Sequence, residues 1–438
     1  MMRARWSRLS RGWLLVALGP ACLMAMPSWA APDALPAAKP PAVAAPAPKP
    51  APAPATPPPA AAPADEDLSK WRFAETIKLD TTAGGAAVKG DVKNFPVPVT
   101  LGPQNFDFSQ AKADGSDLRF TKAGKGPRLP HTIEYWDQAG RAAVVWVKLD
   151  LVKGKSRAQS FVMHWGNADA PDVADGRAVF DSKEGFVGVY HLNEEGSSDE
   201  DGYKDATGNE AHMTGVNLKP GSRVEGRVGK GLMLNHAETQ WVKLDQPKKK
   251  RLFDLTTHGT FSIWVKARSY QNKGNKEIKA LPGYETMFAK GDNSWRLQKF
   301  GIRDWHKPPA DLIEMCVEQT PNADLCVVGK TDLVPGQWFQ VAAVHDFPRA
   351  KIYVNGVLEK VDTFDVNWIS GEHPVGIGNQ SQFPEKGRSW DGVLDEARAM
   401  NVSKNDDWMK LDYESQREGS KLLVFGKAEE KSEAKTRK

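Results

Sequence analysis

The sequence predicts an all-β protein built from two β-sandwich domains, with one short helix near the C-terminal end. Between residues 70 and 426, short apolar runs alternate with polar residues at the period of half-buried strands. Glycine, aspartate, asparagine and proline separate these runs, and no long helical periodicity interrupts them. A chain of 438 residues is long enough for two such domains.

The N-terminal residues predict an export signal. Residues 1–30 contain four arginines, no acids and an apolar run from Trp13 to Met26, followed by Ser28 and Ala30 at the small-residue positions before a cleavage site. The run is shorter than the roughly 20 residues that a membrane span needs. We therefore expect a cleaved signal peptide and an exported protein of the periplasm or cell envelope. Membrane anchoring would require the signal to stay uncleaved.

Two segments predict disorder. Residues 31–69 consist mostly of alanine and proline, and thirteen of the 31 prolines of the chain lie between residues 32 and 64. Such a composition cannot bury a core and favours extended polyproline II. Residues 427–438, KAEEKSEAKTRK, have the composition of a charged tail. We expect a linker before the folded body and a disordered tail after it.

The charge of the chain excludes a general affinity for nucleic acid. The chain has 59 basic and 55 acidic residues, and removing residues 1–30 leaves 55 of each. A neutral protein has no net field to attract a polyanion. Nucleic acid is therefore not an expected partner. Beyond the signal, no apolar run is long enough to span a bilayer.

The folded region divides into two parts. Residues 70–179 contain six strand-like runs, FAETIKLD, FPVPVTL, DLRFT, HTIEYWD, AVVWVKLDLV and SFVMHWG, which predict a first β-sandwich. Residues 180–426 contain about a dozen more, the number expected for a two-sheet jelly roll. An Asn355-Gly356 pair between two apolar runs predicts a hairpin turn there.

One helix is predicted near the end of the second domain. Asn405 or Asp406 can serve as its N-cap, and Trp408 and Leu411 give it an apolar side. This helix would lie just before the end of the second domain at residue 426.

Two cysteines follow the signal, Cys316 and Cys326. An even pair in an exported protein indicates a disulfide. The residues between them, VEQTPNADL, predict a hairpin that turns at Pro321-Asn322 and brings the two sulfurs face to face. We expect this bond to be structural, because the chain has no CxxC motif.

The ordered motifs of the second part resemble a known family. YHLNE, DATGN, GKGLMLN, WVKL, FSIWVKAR, FAKG, GQWFQVAAVHD, KIYVNGV, VGIGN and WDGVLDEARAM are similar, over roughly residues 180–402, to the laminin-G-like jelly roll of the concanavalin A-like superfamily. In the first part, Trp71 and the motifs FPVPVTL, FDFSQAKADGSDLRF, LPHTIEYWD, VWVKL and HWGN resemble the bacterial domain of unknown function 2341.

The resemblance implies a non-catalytic binding protein that recognises a carbohydrate or a protein surface. Some relatives of the first domain accompany proton channels of the MotA/TolQ/ExbB type, so an accessory subunit of such a complex is the alternative. A glycoside hydrolase is the second alternative, since such enzymes share the jelly-roll superfamily. Hydrolysis needs two facing carboxyl groups, but Asp395 and Glu396 are adjacent and should point to opposite faces of a strand.

Three tryptophans are candidate ligand-binding residues. Trp305 lies among turn residues in GIRDWHKPP, Trp368 lies in FDVNWISGEHP, and Trp390 follows a Gly-Arg-Ser loop. Edge packing is the alternative role for each. No catalytic residue is predicted, because the G-x-S-x-G, H-E-x-x-H and phosphate-loop motifs are absent.

A calcium ion is the one candidate cofactor, and no cofactor is expected to be required. Asp199, Asp201 and Asp205 belong to an acidic run with several oxygen ligands, as calcium prefers. A solvated acidic loop is the alternative. His191, in the preceding VGVYHLNEE, is expected to be a hydrogen-bonded strand residue instead of a ligand.

Overall fold

The structure is a computed structural model. It describes residues 66–123, 126–270, 283–301, 311–320, 323–364, 368–384 and 387–431. The predicted signal at residues 1–30 and most of the predicted linker at 31–69 lie outside these ranges.

Seven strands are described over the first half of this region, where the sequence predicts the first sandwich. They are β1 (Phe73–Leu79), β2 (Val92–Leu101), β3 (Arg119–Lys122), β4 (Arg128–Leu129), β5 (His131–Asp137), β6 (Ala142–Val152) and β7 (Gln159–Trp165).

The second half of the described region is also composed mainly of strands. They are β8 (Phe186–Tyr190), β9 (Thr214–Val216), β10 (Arg223–Glu225), β11 (Lys230–Leu234), β12 (Trp241–Leu244), β13 (His258–Ala267), β14 (Gly283–Ala289), β15 (Trp295–Gly301), β16 (Asp311–Thr320), β17 (Ala323–Val328), β18 (Phe339–Asp346), β19 (Arg349–Val354), β20 (Val357–Thr363), β21 (Val375–Ile377) and β22 (Gly392–Met400), with β23 (Leu423–Phe425) and β24 (Glu429–Glu430) at the end.

Helices are short in the described ranges. The α-helices are α1 (Gly176–Val179), α2 (Pro247–Lys250) and α3 (Asp406–Gln416), and five single 3-10 turns add Leu68–Lys70, Phe108–Gln110, Ser182–Glu184, His236–Glu238 and Arg251–Phe253. None of these helices is long and apolar enough to cross a membrane.

Four antiparallel sheets confirm the predicted all-β class. The first sandwich has a six-stranded sheet in the order β23-β1-β7-β3-β4, with β24 also on β1, and a three-stranded sheet β2-β6-β5. The second has an eight-stranded sheet, β10-β11-β22-β13-β18-β19-β20 with β8 on β22, and a seven-stranded sheet, β17-β16-β15-β14-β21-β12-β9.

The core of the second sandwich lies between its eight- and seven-stranded sheets. Phe261, Ile263 and Val265 alternate into it from β13, and Met315 and Val317 alternate into it from β16. Full burial of each such side chain contributes roughly 1.5–3 kcal/mol. Burial of these alternate residues fixes the register, because a one-residue slip would expose every one of them.

The two sandwiches share a second core. The three-stranded sheet is covered on both faces, and two of its strands are buried without alternation, β2 from Phe95 to Val99 and β6 from Ala143 to Val147. One face packs on the six-stranded sheet of its own sandwich, and the other packs on α3 and the eight-stranded sheet. The ring of Phe95 lies 5.7 Å from that of Trp408. The two predicted domains thus form one compact unit.

The C-terminal end corrects the predicted tail at residues 427–438. Glu429–Glu430 pair with β1 opposite Phe73 and Ala74, after β23 has paired with the same strand. The edge of β1 presents unpaired amide groups that an adjacent segment satisfies. The charged composition of residues 427–438 did not predict this strand, because the side chains of Glu429 and Glu430 face water and show no apolar alternation. The jelly roll was predicted to extend to residue 426. In the structure, residues 423–425 pair with β1 and belong to the first sandwich.

The predicted linker also ends earlier than residue 69. Glu66 accepts hydrogen bonds from the guanidinium of Arg119 at 2.7 and 3.1 Å. Asp67 caps the 3-10 turn Leu68–Lys70 by accepting from the amide of Ser69. The folded body therefore includes Glu66, because a buried arginine needs a carboxylate partner.

Three local predictions are confirmed. Asn355 and Gly356 form the β19–β20 turn with φ of 52° and 69°, as a type I′ hairpin requires. Asn405 is the N-cap of α3, and its side chain accepts from the amide of Trp408 at 2.9 Å. Cys316 and Cys326 are bonded across the β16–β17 hairpin. The predicted turn at residues 321–322 lies outside the described residues.

Candidate ligand-binding face and buried ion cluster

The outer face of the seven-stranded sheet carries polar side chains. On β15, Trp295 and Leu297 face the core, so Arg296 and Gln298 project from the opposite face. The same alternation on β16 places Glu314 on the outer face, between core residues of the strand. A sheet face covered with amide, carboxylate and guanidinium groups is suited to hydrogen bonding, not to core packing.

Two of these side chains, Gln298 and Glu314, form a row with Thr286 of β14 across neighbouring strands. Thr286 pairs with Gln298, and Gln298 pairs with Glu314 in the sheet register. The amide of Gln298 donates to Glu314 Oε1 at 2.6 Å. We call these three residues the polar row. Each is at most 2% exposed.

Two atoms of the polar row are without a partner among the described residues. Thr286 Oγ1 and Gln298 Oε1 are buried and make no hydrogen bond. Such an atom costs about 1–3 kcal/mol, and each instance in a folded protein needs an explanation. Both residues are at most 1% exposed, so a ligand that supplies hydroxyl groups would satisfy the two atoms only after the groups that cover them had moved.

An aromatic row lies beside the polar row. Tyr284 pairs with Phe300, which pairs with Leu312. The two rings are 5.9 Å apart and half-buried, and the guanidinium of Arg388 lies 5.0 Å from the Tyr284 ring. Apolar surface with a few convergent polar groups is the usual composition of a small-molecule site.

The disulfide lies on the other side of the polar row. Arg296 pairs with Cys316 in the sheet register, and Cys316 pairs with Cys326. Glu314 Oε and the two sulfurs lie within 4.8 Å of one another. The sulfurs are bonded to each other and cannot act as thiolate ligands. The bond therefore fixes the hairpin that presents Glu314.

The structure places the predicted tryptophans as follows. Trp305 lies outside the described residues. Trp368 is 4% exposed and stacks on His345 at 3.4 Å, and Trp390 is fully buried against Tyr270. Neither described indole offers an open ring face to a ligand. Glycine and serine residues near Trp368 and Trp390 indicated loops, which is why both were predicted as ligand-binding residues. A large apolar ring can still pack inward from a loop.

The three predicted calcium ligands do not converge. Asp205 is buried and accepts hydrogen bonds from the amides of Val189 and Ala211 and from Thr207. Asp201 accepts from Gln246, and Asp199 accepts from Ser197. In the described chain, no group of three closely spaced ligand atoms includes any of the three acids. Calcium binding there stays a prediction.

A β-bulge on β22 corrects the prediction that Asp395 and Glu396 point to opposite faces. Leu394 and Ala397 both face the jelly-roll core, so both acids between them face the first sandwich. Glu396 has a φ of 52°, and the register with β13 shifts at the same place. An extra residue in a bulge breaks the alternation on which the prediction depended.

These acids belong to a group that we call the buried ion cluster: Glu134, His191, Asp395, Glu396, Arg398 and Asp412. His191 Nδ1 lies 2.6 Å from Glu396 Oε1 and 3.6 Å from Glu134 Oε2. Arg398 donates to Glu396, and to Asp412 at 2.9 Å. The cluster lies between the two sandwiches, and of its members His191 keeps 12% side-chain exposure.

Burial raises the pKa of two acids of the cluster well above the usual range. For Glu134, desolvation is the main cause, and the nearby carboxylates of Glu396 and Asp395 add to it. For Asp395, desolvation again comes first and the charge of Glu396 second. Both acids therefore favour the neutral form when no cation is near.

The other two acids have cationic neighbours. Burial alone would raise the pKa of Glu396, but His191 and Arg398 outweigh it and lower the pKa to about 2. Burial raises the pKa of Asp412 to about 6, against the opposing effect of Arg398. Glu396 is thus an anion at neutral pH.

The cluster has none of the access that a hydrolytic site needs. Asp395 Oδ2 accepts from the amides of Arg227 and Val228 at 2.6 and 2.8 Å. Asp395 and Glu396 are at most 1% exposed and lie between the two sandwiches, so a polysaccharide would have to separate the sandwiches to reach the pair. Its members come from β5, the end of β8, β22 and α3, so no local motif in the sequence could have revealed them.

Two family models match the chain. Residues 114–194 match the domain of unknown function DUF2341. Residues 236–409 match the concanavalin A-like lectin/glucanases superfamily. No curated protein matches the chain.

Several solved structures are similar to the chain at low identity. The binding domain of Paraclostridial Mosquitocidal Protein 1 is 14% identical, with a TM-score of 0.40 over 53% of this chain and 52% of that one. Domain 4 of AbnA, an extracellular arabinanase from Geobacillus stearothermophilus in complex with arabinotriose, is 18% identical, with a TM-score of 0.35 over 52% and 98%. The receptor binding domain of botulinum neurotoxin mosaic serotype C/D is 13% identical, with a TM-score of 0.38 over 53% and 51%.

The chain spans about half the length of the toxin structures that it matches. At these TM-scores the likeness carries no conclusion about ligand or activity. The assignment of the two regions rests on the family models. The matched regions follow one another along the chain in the order that the sequence motifs predict. The chain contains a DUF2341 region followed by a concanavalin A-like domain.

Proposed function

We propose that this protein is an exported, non-catalytic carbohydrate-binding protein whose ligand lies on the outer face of the seven-stranded sheet. The observation that carries the proposal is the pair of buried, unpartnered atoms Thr286 Oγ1 and Gln298 Oε1 on neighbouring strands. Both strands lie within the region that matches the concanavalin A-like superfamily. Export is supported by the signal-like N-terminus and by the disulfide.

The chemistry of the face suits a sugar. A sugar ring presents hydroxyl groups at its edge and C–H groups on its face. Gln298 Oε1 can accept a hydrogen bond, and Thr286 Oγ1 can donate or accept one. Tyr284 and Phe300 supply apolar ring surface beside them. Neutral oligosaccharides are therefore the expected ligand class.

Hydrolysis is the weaker alternative. The matched superfamily contains both lectins and glucanases, so the family does not choose between binding and cleavage. Cleavage needs two carboxyl groups that reach the same bond, and the adjacent acids Asp395 and Glu396 are buried between the sandwiches. The alternative of a proton-channel subunit rests on the family resemblance of the first domain alone.

The test is binding of the purified full chain to an array of neutral and acidic oligosaccharides, followed by calorimetry with the best binder. Thr286→Val and Gln298→Met should each weaken binding about fivefold, since one hydrogen bond contributes about 1 kcal/mol. Thr286→Val should keep the melting temperature, because Thr286 Oγ1 makes no hydrogen bond in the free protein. Gln298→Met should lower it, because that variant also loses the hydrogen bond from the Gln298 amide to Glu314.

Thr121→Val is the matched control. Thr121 is also a buried threonine, at 2% exposure, but it lies in the first sandwich and contacts His164. This variant should bind the sugar as the wild type does. Failure of the folded chain to bind any oligosaccharide, or equal affinity in wild type and both outer-face variants, would overturn the proposal.

A further inference from the structure

Three side chains of the buried ion cluster bring metal-ligand atoms together. Glu134 comes from β5, His191 follows β8, and Glu396 comes from the bulge of β22. One ligand atom from each lies within 4.8 Å of the other two. The set combines an imidazole nitrogen with two carboxylates from three separate elements, so the fold itself holds the atoms in place.

Two buried oxygens beside this set are without a partner. Glu134 Oε1 and Asp395 Oδ1 make no hydrogen bond to any described residue, and the side chain of Glu134 is fully buried. The other oxygen of Glu134 accepts from the indole of Trp146 at 2.6 Å and faces His191. A buried carboxylate oxygen needs a proton donor or a cation.

The charges of the cluster also lack balance. Its acids are Glu134, Asp395, Glu396 and Asp412, while Arg398 is its one permanently charged cation. A divalent cation bound among these carboxyl groups would add positive charge where Arg398 is the one permanent cation of the cluster.

We propose that Glu134, His191 and Glu396 form a binding site for one divalent transition-metal ion, with Zn²⁺ the best match to the ligand set. Calcium and magnesium prefer all-oxygen sites, whereas imidazole together with carboxylate suits zinc and its first-row neighbours. Zinc takes both ligand types in the same site.

Two of the three distances between the ligand atoms lie within 1 Å of those in a zinc site. Tetrahedral zinc with bonds near 2.1 Å sets its ligand atoms about 3.4 Å apart. His191 Nδ1 and Glu134 Oε2 are 3.6 Å apart, and His191 Nδ1 and Glu396 Oε1 are 2.6 Å apart. The second pair is a hydrogen bond that must open by less than 1 Å. Zinc would bind the lone pair of His191 Nδ1, so the imidazole would carry its proton on Nε2 instead.

The site would join the two matched regions of the chain. Glu134 and His191 lie in the DUF2341 region, and Glu396 lies in the concanavalin A-like domain. The ion would therefore hold the sandwiches together at their shared core. It would not contact the outer face of the seven-stranded sheet, so this inference is independent of the sugar-binding proposal.

The experiment is titration of the chelator-treated full chain with Zn²⁺ by calorimetry, with metal content measured on the dialysed protein. One zinc per chain is expected, together with a rise in melting temperature. Glu134→Gln should weaken binding at least tenfold, because it removes a ligand charge while an amide oxygen still accepts from Trp146. His191→Gln should do the same.

Glu75→Gln is the matched control, since Glu75 is a buried glutamate at 3% exposure in the first sandwich. It should bind zinc as the wild type does. Folded wild-type protein that takes up no stoichiometric zinc would overturn the inference. Equal zinc affinity in wild type, Glu134→Gln and His191→Gln would also overturn it, since the ion would then bind elsewhere.

Discussion

Protonation of His131 should make the protein lose stability below pH 6.5. His131 is 3% exposed at the start of β5, and its ring lies 5.3 Å from that of Phe120. Desolvation first, and then the charges of Arg119 and Arg128, lower its pKa from 6.5 to about 3. The unfolded chain therefore binds a proton at a higher pH than the folded chain does.

The size of the effect follows from linkage. The lowered pKa of His131 does not reduce the free energy of unfolding above pH 6.5, where the histidine is neutral in both states. The reduction grows as the pH falls from 6.5 toward 3. One pKa unit corresponds to about 1.4 kcal/mol. Between pH 6.5 and pH 5, His131 should remove about 2 kcal/mol from the free energy of unfolding. His164 and His345, whose pKa values burial lowers to about 4 and about 3, should add to the loss.

The assay is urea unfolding at pH 7 and pH 5, followed by tryptophan fluorescence, on wild type and His131→Phe. The variant keeps a ring against Phe120 but cannot titrate, so it should lose about 2 kcal/mol less than wild type between the two pH values. His258→Phe controls for loss of an exposed histidine, since that side chain is 54% exposed. An equal loss in wild type and His131→Phe would refute the reasoning.

Three further predictions concern stability at neutral pH, each measured by urea unfolding. Cys316→Ser should cost about 3 kcal/mol, from the chain-entropy relation for a sequence separation of 10, and reductant should have the same effect on wild type. Gly392→Ala should cost about 3 kcal/mol or more, because its Cβ would lie 2.2 Å from the carbonyl of Lys266 at a φ of 143°. A Cβ added at Gly221 would have nothing within 4 Å, so Gly221→Ala should lower the free energy of unfolding by less. An equal loss in Gly392→Ala and Gly221→Ala would contradict the steric argument. Leu422→Ala should cost about 2–5 kcal/mol, because Leu422 is 1% exposed, whereas a mobile C-terminal segment would show no loss.

The sequence predicted the features that depend on neighbouring residues. Period-two alternation located the strands, and the Asn355-Gly356 pair located a hairpin turn, because turn type depends on which residues tolerate positive φ. The pairing of Cys316 with Cys326 followed from a short loop with turn residues at its centre. Each of these signals lies within a few residues of the feature that it predicts.

The sequence did not predict the features that depend on distant residues. The bulge at Glu396 places two adjacent acids on one face, and nothing in GVLDEARAM marks the extra residue. Thr286, Gln298 and Glu314 form a row only after three strands pair. The apolar rings of Trp368 and Trp390 pack inward although their neighbours are typical of loops.

The pairing of β24 with β1 has a mechanical consequence. Phe73 at the start of β1 lies opposite Glu430 at the end of the described strands, and the amide of Lys431 donates to the carbonyl of Arg72. Arg72 and Lys431 therefore lie side by side at this end of the sheet. Tension between them would open the β1–β24 and β1–β23 ladders one hydrogen-bonded pair at a time, and the jelly roll would bear load only after both strands had peeled away.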